Sequence, residues 1–226
     1  MEAFEYHVLD RGMIRLVDFM GGDIAVVQAA RVSFGQGAKG EEKDRKLIDY
    51  LIRNVHETPF EQAVFKFHVK CPIFVARQWF RHRWASYNEI SGRYTEMVYE
   101  FYTPEKFRTQ EKKNYKYTDL DDALSSKLQK KLETFYKEAH RLYEELLAEG
   151  VAKEQARIVL PLSLYTQFYW AVNARSLMNF IKLRTDEHAQ YEIRVYAETI
   201  AEIFRQKMPW TYDAFKKRVL DVPQNA

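Results

Sequence analysis

Residues 64–80 read VFKFHVKCPIFVARQWF and contain a change of hydrophobic period that decides the class of fold. In the first seven residues apolar and polar side chains alternate, with Phe65, Phe67 and Val69 on one face, which predicts a half-buried strand. Pro72 then stands where the first turn of a helix tolerates proline, and the spacing beyond it predicts a short helix. A strand that runs directly into a helix indicates a domain of mixed α and β elements.

Further helices and one more strand are expected around this segment. Apolar residues at three- and four-residue spacings predict amphipathic helices over residues 41–54, 121–149, 173–183 and 188–208. An aromatic and β-branched run over 164–172 predicts a second strand, although a buried helix also fits it. Asp186 is expected to cap the helix that starts at residue 188.

The organisation of the whole chain points to one domain over residues 1–226. No repeat and no linker rich in Pro, Gly or Ser divides the sequence. The lysine-rich residues 105–117 are expected to form an exposed connection. We therefore expect an α/β fold, in the sense of mixed α+β, with helices around a modest sheet.

Composition and charge exclude several classes of protein. The chain has 226 residues, of which 46% are hydrophobic, and 35 Lys and Arg against 32 Asp and Glu give a net charge of +3. That balance argues against a surface that coats nucleic acid or a membrane, so any anion site must be local. The single cysteine excludes an internal disulfide and favours a reducing cytoplasm. The first residues lack a signal pattern and no apolar run suits a membrane span, so we expect a cytoplasmic protein.

Residues 81–94 read RHRWASYNEISGRY and hold the densest group of side chains suited to a ligand. Between residues 66 and 93, six Lys and Arg stand against one acid, Glu89. Arginine presents a planar fork that matches phosphate oxygens, and the neighbouring Ser, Asn and Gly residues add neutral donors and close backbone approach. We expect a loop that binds the phosphate and base edges of a nucleotide, and a solvated basic loop is the alternative.

A second polar group comprises Asn173, Arg175, Asn179, Arg184 and His188. Arg175 and Asn179 are four residues apart on a predicted helix and so share a face, while Arg184 lies just beyond the helix end, near His188. The group is expected to frame one polar pocket. The alternative is structural: Asn173 caps the helix and Arg184 pairs with a neighbouring acid at the surface.

Other sources of chemistry are not supported. His56-Glu57 is not followed by a second histidine at helical spacing, so the zinc-protease pattern is absent and no metal site is expected. Cys71 has apolar neighbours and is expected to be a buried, inert thiol rather than a nucleophile. No glycine-rich loop follows a predicted strand, which leaves a Rossmann site and a P-loop unsupported.

The motif R-H-R-x7-S, which begins at Arg81 and ends at Ser91, resembles the signature of the flavin-dependent thymidylate synthases. Several ordered motifs that agree at once are a far more specific signal than one isolated motif. The resemblance extends over most of the chain, through HETPFE at 56–61, ARIVLP at 156–161 and NARSLMNF at 173–180.

The resemblance implies a fold specific to that family and a homotetramer whose active sites are each built from more than one subunit. It also implies the reaction. dUMP is methylated to dTMP, methylenetetrahydrofolate gives the carbon, FAD carries the hydride and NADPH reduces the flavin.

For individual positions the resemblance implies separate roles, with Arg184 as the catalytic residue. Flavin contacts are expected at Thr58, Arg81, His82, Arg83, Glu89, Asn173, Ala174, Arg175 and Asn179. Contacts with dUMP are expected at Gln78, Trp79, Phe80, Arg81, Glu89, Ile90, Ser91, Gly92, Arg93, Arg157 and Arg184. Further flavin or folate contacts are expected at His56, Tyr94 and His188.

This chemistry needs no protein nucleophile. A fixed arginine beside the N3 and carbonyl edge of uracil would stabilise the deprotonated base by electrostatics. Ser91 has no general base at an obvious spacing and is assigned to binding. Two rival hypotheses stay open: a basic, aromatic surface that binds single-stranded nucleic acid, and a methylase that uses Cys71 as its nucleophile.

Overall fold

The computed structural model describes residues 4–35, 37–110 and 117–222. Seven strands are present in these ranges: β1 Glu5–Val8, β2 Gly12–Met20, β3 Val64–Pro72, β4 Ser86–Glu89, β5 Arg108–Gln110, β6 Tyr117–Asp119 and β7 Tyr165–Asn173. The α-helices in the same ranges are α1 Asp23–Val32, α2 Glu41–Arg53, α3 Ile73–Trp79, α4 Asp122–Ala148, α5 Lys153–Ala156, α6 Ala174–Arg184, α7 Tyr191–Lys207 and α8 Pro209–Phe215.

Five strands form one antiparallel sheet in the order β1-β2-β3-β7-β4, and β5 pairs with β6 in a separate hairpin. The central strand β3 pairs with β7 so that Phe67 lies opposite Trp170 and Phe65 opposite Val172. All four side chains are buried, because alternate residues of both strands face the same layer of helices. The alternation that predicted a half-buried strand at β3 is therefore confirmed.

The core is an aromatic cluster that joins the sheet to the helices. Trp79, the last residue of α3, is fully buried, and its ring centroid lies 5.3 Å from that of Trp170 and 4.8 Å from that of Phe180. Edge and tilted contacts of this kind contribute beyond the area that they bury. The cluster fixes α3 and α6 against β7, and these are the elements that carry the candidate site.

Most elements expected from the sequence are confirmed. The structure contains α2, α3, α4, α6 and both expected strands, and it confirms a mixed α/β fold with helices around a five-stranded sheet. The last predicted helix starts later than expected, at Tyr191, and Asp186 does not cap it. The N-cap position is Gln190, while Asp186 accepts a hydrogen bond from the backbone N–H of His188 at 2.8 Å.

Two segments that we expected to be irregular contain strands. Within the arginine-rich segment, Ser86–Glu89 forms β4, an edge strand of the sheet whose neighbour in the described structure is β7. An edge strand with one neighbour and exposed polar residues lacks the apolar alternation by which strands are recognised. In the expected connection over 105–117, Arg108–Gln110 forms β5 and pairs with β6, while residues 111–116 lie outside the described residues.

The long helix α4 carries the expected apolar stripe, but the chain covers only part of it. Asp121 caps the helix by accepting from the backbone N–H of Leu124. Ala139 is buried, whereas the side chains of Phe135 and Leu142 are 52% and 41% exposed. Apolar area of this kind, on a helix otherwise packed on its own domain, is available for contact with another chain.

Within the described ranges, no helix combines the length and the apolar character needed to cross a membrane.

Candidate functional site

A cleft of about 280 Å³ opens beside the N-terminus of α6, the 3-10 turn Thr58–Gln62 and the segment that follows α3. It brings together four of the expected flavin contacts: His82 and, from the start of α6 about ninety residues later, Asn173, Arg175 and Asn179. Its lining residues are Glu57, Glu61, His82, Trp84, Ala85, Trp170, Val172, Asn173, Arg175, Ser176 and Asn179.

Arg175 enters the cleft already paired with two carboxylates. Its Nε donates to Glu57 Oε2 at 3.0 Å, and its Nη1 donates to Glu61 Oε1 at 2.6 Å. The pKa of Arg175 is raised, chiefly by the hydrogen bond to Glu61 and the charge of Glu57. An anion receptor would need an arginine without carboxylate partners, and Arg175 has two. It is held rigidly at the wall of the cleft.

Asn173 has the structural role that the sequence left open as an alternative. Its Oδ1 accepts from the backbone N–H of Ser176 at 2.9 Å, which is an N-cap of α6. The same cap directs the start of α6, with its partial positive charge, at the cleft. Asn173 therefore caps α6 and also lines the cleft.

Arg184 lies at the last residue of α6 and faces the end of α3. Its Nε donates to His82 Nε2 at 3.0 Å, and its Nη2 donates to the backbone carbonyl of Gln78 at 3.2 Å. The alternative in which Arg184 pairs with an acid next to it at the surface is therefore wrong. The two bonds fix the plane of the guanidinium between two expected ligand contacts.

The electrostatics of this pair follow from burial. Burial, and then the charge of Arg184, lower the pKa of His82 to about 4, so the imidazole is neutral at pH 7. Because Nε2 accepts from Arg184, the ring proton lies on Nδ1. Burial and the nearby charge of Arg81 lower the pKa of Arg184, although a guanidinium keeps its proton in proteins. The site thus holds a permanent cation against a neutral ring.

We expect His82 to take up a proton only near pH 4. The unfolded chain binds that proton near the ordinary value of 6.5, so between these pH values the unfolded state holds more protons. The stability contributed by neutral His82 is therefore present above pH 6.5 and is lost as the pH falls towards 4. An NMR titration of the ring measures the midpoint, which Arg184→Ala should raise. A wild-type midpoint near 6.5 would contradict the described contact.

A third group of expected contacts lies around α5 and the turn after it. Arg93 Nε donates to Glu154 Oε2 at 2.8 Å, and Gly92 packs against Arg157. A Cβ built on Gly92 would lie 3.1 Å from Cδ of Arg157, so a larger residue there would displace that arginine. Among the residues that the structure describes, no hydrogen bond joins this group to Arg184.

The remaining expected contacts differ in how accessible they are. Arg81, Arg83 and Thr58 are exposed, and in the described part of the chain neither arginine forms an ion pair. Glu89 Oε1 accepts from Thr166 at 2.6 Å. Ile90 and Phe80 are partly buried, and Tyr94 is exposed.

Four of the expected contact residues have surroundings that the sequence did not indicate. The side chain of Trp79 is fully buried in the core, so only its backbone could reach a ligand. Ala174 is buried and its N–H donates to the carbonyl of Ala63 at 2.8 Å. His188 is exposed and hydrogen-bonded to Asp186, and His56 is exposed at the edge of the Tyr50 ring.

Sequence reasoning missed several residues that line the cleft. Glu57 and Glu61 belong to the HETPFE motif, but their role as partners of Arg175 depends on a contact across more than a hundred residues. Trp84 follows the R-H-R triplet and is 85% exposed. An exposed tryptophan at a cleft of polar groups offers a planar surface for a ring, and its position beside the motif was the available signal.

Two other kinds of chemistry find no support. The described residues contain no group of three or more His, Cys, Asp or Glu side chains that could hold a metal ion. Cys71 is fully buried at the end of β3, and burial, with the charge of Glu89, raises the pKa of its thiol well above the ordinary value. A thiol in that state is a poor nucleophile.

Comparison with known proteins agrees with this arrangement. The family model described as thymidylate synthase complementing protein matches residues 15–210. A flavin-dependent thymidylate synthase of Thermosipho africanus is 57% identical over 215 residues, which cover 94% of both chains. One from Thermus thermophilus is 54% identical over 217 residues, which cover 95% of this chain and 79% of that protein.

A solved structure shares the fold at a lower identity. The crystal structure of a UMP/dUMP methylase PolB from Streptomyces cacaoi bound with 5-Br dUMP superimposes with a TM-score of 0.88 at 35% identity, covering 96% of this chain and 100% of that chain. The region matched by the family model contains all three groups of residues described above. The resemblance first seen in the R-H-R-x7-S motif is confirmed, and the chain belongs to the thymidylate synthase complementing protein family, with flavin-dependent thymidylate synthases as its relatives.

Proposed function

We propose that this chain is a flavin-dependent thymidylate synthase that methylates dUMP to dTMP, with FAD as its flavin, methylenetetrahydrofolate as carbon donor and NADPH as reductant. The observation that carries the proposal is Arg184, held between the neutral ring of His82 and the backbone carbonyl of Gln78. It is a fixed cation at the point where two sets of expected ligand contacts meet. We also propose a cytoplasmic location, supported by the single buried cysteine.

The cleft at the start of α6 fits part of a flavin nucleotide. Asn179, Ser176 and the uncharged His82 offer neutral hydrogen-bonding groups, and the exposed ring of Trp84 offers a flat surface. The positive end of α6 suits a phosphate. Bound FAD would supply the hydride that completes the new methyl group. Residues of this chain would hold and orient it, while Glu57 and Glu61 keep Arg175 in place.

The cleft is too small for a whole dinucleotide within one chain. Small-ligand sites occupy roughly 300–1,000 Å³, and the cleft of about 280 Å³ lies at or below the lower limit. Arg93 and Arg157 lie in a group that no hydrogen bond of the described residues joins to Arg184. These facts, together with the exposed apolar side chains of α4, support a homotetramer with shared active sites. In each site one subunit would supply Arg184 and its neighbours, and another would supply Arg93 and Arg157.

We propose that Arg184 activates the pyrimidine of dUMP. A guanidinium in a partly buried site stabilises negative charge far more than it would in water, so it favours loss of the N3 proton of uracil to water. Charge on N3 makes the ring carbon that receives the methylene group more nucleophilic without a covalent bond to the protein. Arg93 and Arg157 would hold the phosphate, and Ser91 and Gly92 would allow close approach of the backbone.

We expect Cys71→Ala to keep dTMP formation within about twofold of wild type, because the thiol is buried and protonated. The small cavity costs about 1 kcal/mol of unfolding free energy, which thermal unfolding would measure. Loss of turnover in a folded, flavin-bound variant would instead revive the cysteine-dependent methylase.

The rival in which residues 66–94 bind single-stranded nucleic acid makes a different prediction for the purified protein. It requires a colourless protein whose oligonucleotide binding falls steeply with salt. The proposed function requires a yellow protein that forms dTMP from dUMP only when methylenetetrahydrofolate and NADPH are present. One absorption spectrum and one product assay separate the two.

A further inference from the structure

Glu192 is a buried acid in the first turn of α7, and every oxygen of its carboxylate has a partner. Its relative exposure is 3%. Oε1 accepts from Arg108 Nη2 at 2.5 Å and from the hydroxyl of Tyr102 at 3.1 Å. Oε2 accepts from Gln190 Nε2 at 2.8 Å. A buried charge is tolerated only when it is paired and fully hydrogen-bonded, and Glu192 meets that condition.

The bond to Glu192 determines which way the Gln190 amide faces. A carboxylate only accepts, so it must face the NH2 group of Gln190. The carbonyl oxygen of Gln190 then faces the other way, where it accepts from the amide nitrogen of Gln78. Glu192 thus controls the orientation of two amides in succession.

The last amide in this series belongs to the proposed dUMP site. With its NH2 group bound to Gln190, Gln78 keeps a side-chain oxygen that accepts from no other described residue. The backbone carbonyl of the same residue accepts from Arg184. Gln78 can therefore accept from an O–H group of the nucleotide next to the guanidinium that we assign to its activation.

We propose that Glu192 is a positioning residue for dUMP, which acts through Gln190 to present the carbonyl oxygen of the Gln78 side chain to the substrate. This inference rests on the proposed function, since it places Gln78 at the nucleotide. Without the carboxylate, both amides could rotate and offer the nucleotide a donor where it needs an acceptor.

Arg108 supplies the positive charge that pairs with the Glu192 carboxylate. Its guanidinium lies 5.1 Å from the ring centroid of Tyr191 and 6.0 Å from that of Tyr117. It thus connects the β5–β6 hairpin to the start of α7. A purely structural role of Glu192 would be to hold this hairpin, and its loss would then lower stability without a selective effect on dUMP.

The test compares dUMP affinity in flavin-loaded variants. Glu192→Gln should raise the Kd for dUMP about tenfold, the effect of one hydrogen bond presented wrongly. The turnover at saturating dUMP and the flavin spectrum should stay close to wild type. Glu202→Gln is the matched control, because Glu202 lies on the same helix and its partners among the described residues are Arg205 and Gln206. It should leave the Kd unchanged.

A second variant keeps the test decisive if Glu192→Gln does not fold. Gln190→Ala leaves Glu192 paired with Arg108 and should weaken dUMP binding to the same extent. Combining Gln190→Ala with Gln78→Ala should give no more loss than Gln78→Ala alone, since they act in series. Additive losses, or an unchanged Kd in folded Gln190→Ala, would overturn the positioning role. Wild-type dTMP formation tests the proposed function separately.

Discussion

Replacing Arg184 by alanine is expected to lower dTMP formation by a factor of about 10²–10³ while the protein stays yellow. The guanidinium is the only group that we assign to the charge that develops on the uracil ring. Its two hydrogen bonds, to His82 and to the Gln78 carbonyl, fix it before substrate binds. Such a preorganised cation costs no rearrangement at the moment of reaction, which is why its removal should affect turnover more than dUMP affinity.

The control for this variant is Arg205→Ala. Arg205 is an exposed arginine of α7 whose described partner is Glu202, and its loss should change turnover by less than twofold, roughly the scale of a surface ion pair. Rates of flavin oxidation and dTMP formation should be measured at saturating dUMP. Wild-type turnover in a flavin-bound Arg184→Ala protein would remove Arg184 from its proposed role.

Two inactive variants are expected to restore each other's activity when they share an oligomer. If each site takes Arg184 from one subunit and Arg157 from another, then random mixing of Arg184→Ala and Arg157→Ala chains leaves roughly a quarter of the sites with both groups intact. Each variant alone should have almost no activity, because every one of its sites lacks one arginine. Coexpression with two different affinity tags, followed by purification on both, gives the mixed oligomer for the assay.

The matched control mixes Arg184→Ala with His82→Ala. Both residues belong to one contact within a single chain. Every subunit of the mixed oligomer lacks one of these two side chains. No site therefore has both intact, and the mixture should stay inactive. Mixed oligomers of the first pair that stay inactive would show that Arg157 and Arg184 do not serve one site from two subunits.

Much of the fold could be predicted because it depends on local hydrophobic period. The alternation at Phe65, Phe67 and Val69 gave β3, and the proline after it marked the start of α3. The strand Ser86–Glu89 was missed because its stability comes from pairing with β7 rather than from its own residues. The cap of α7 was misplaced because Asp186 forms a turn with His188 instead.

The candidate site was only partly predictable, for a similar reason. Helical spacing places Arg175 and Asn179 on one face, and both line the cleft. The contact of Arg184 with His82 joins residues 102 positions apart, and no period in the sequence encodes it. The same holds for the carboxylates that neutralise Arg175. Long-range pairing therefore corrected the electrostatics of the site: Arg175 and Arg184 are held by partners distant in the sequence, whereas Arg81 and Arg83 are exposed and form no ion pair among the described residues.

A crystal structure of the protein with both FAD and dUMP tests the central claim most directly. We expect the guanidinium of Arg184 to lie within hydrogen-bond distance of the N3 and carbonyl edge of the uracil. Arg157 of another subunit should contact the phosphate. A structure in which Arg184 and Arg157 both face solvent, away from a bound nucleotide, would contradict it.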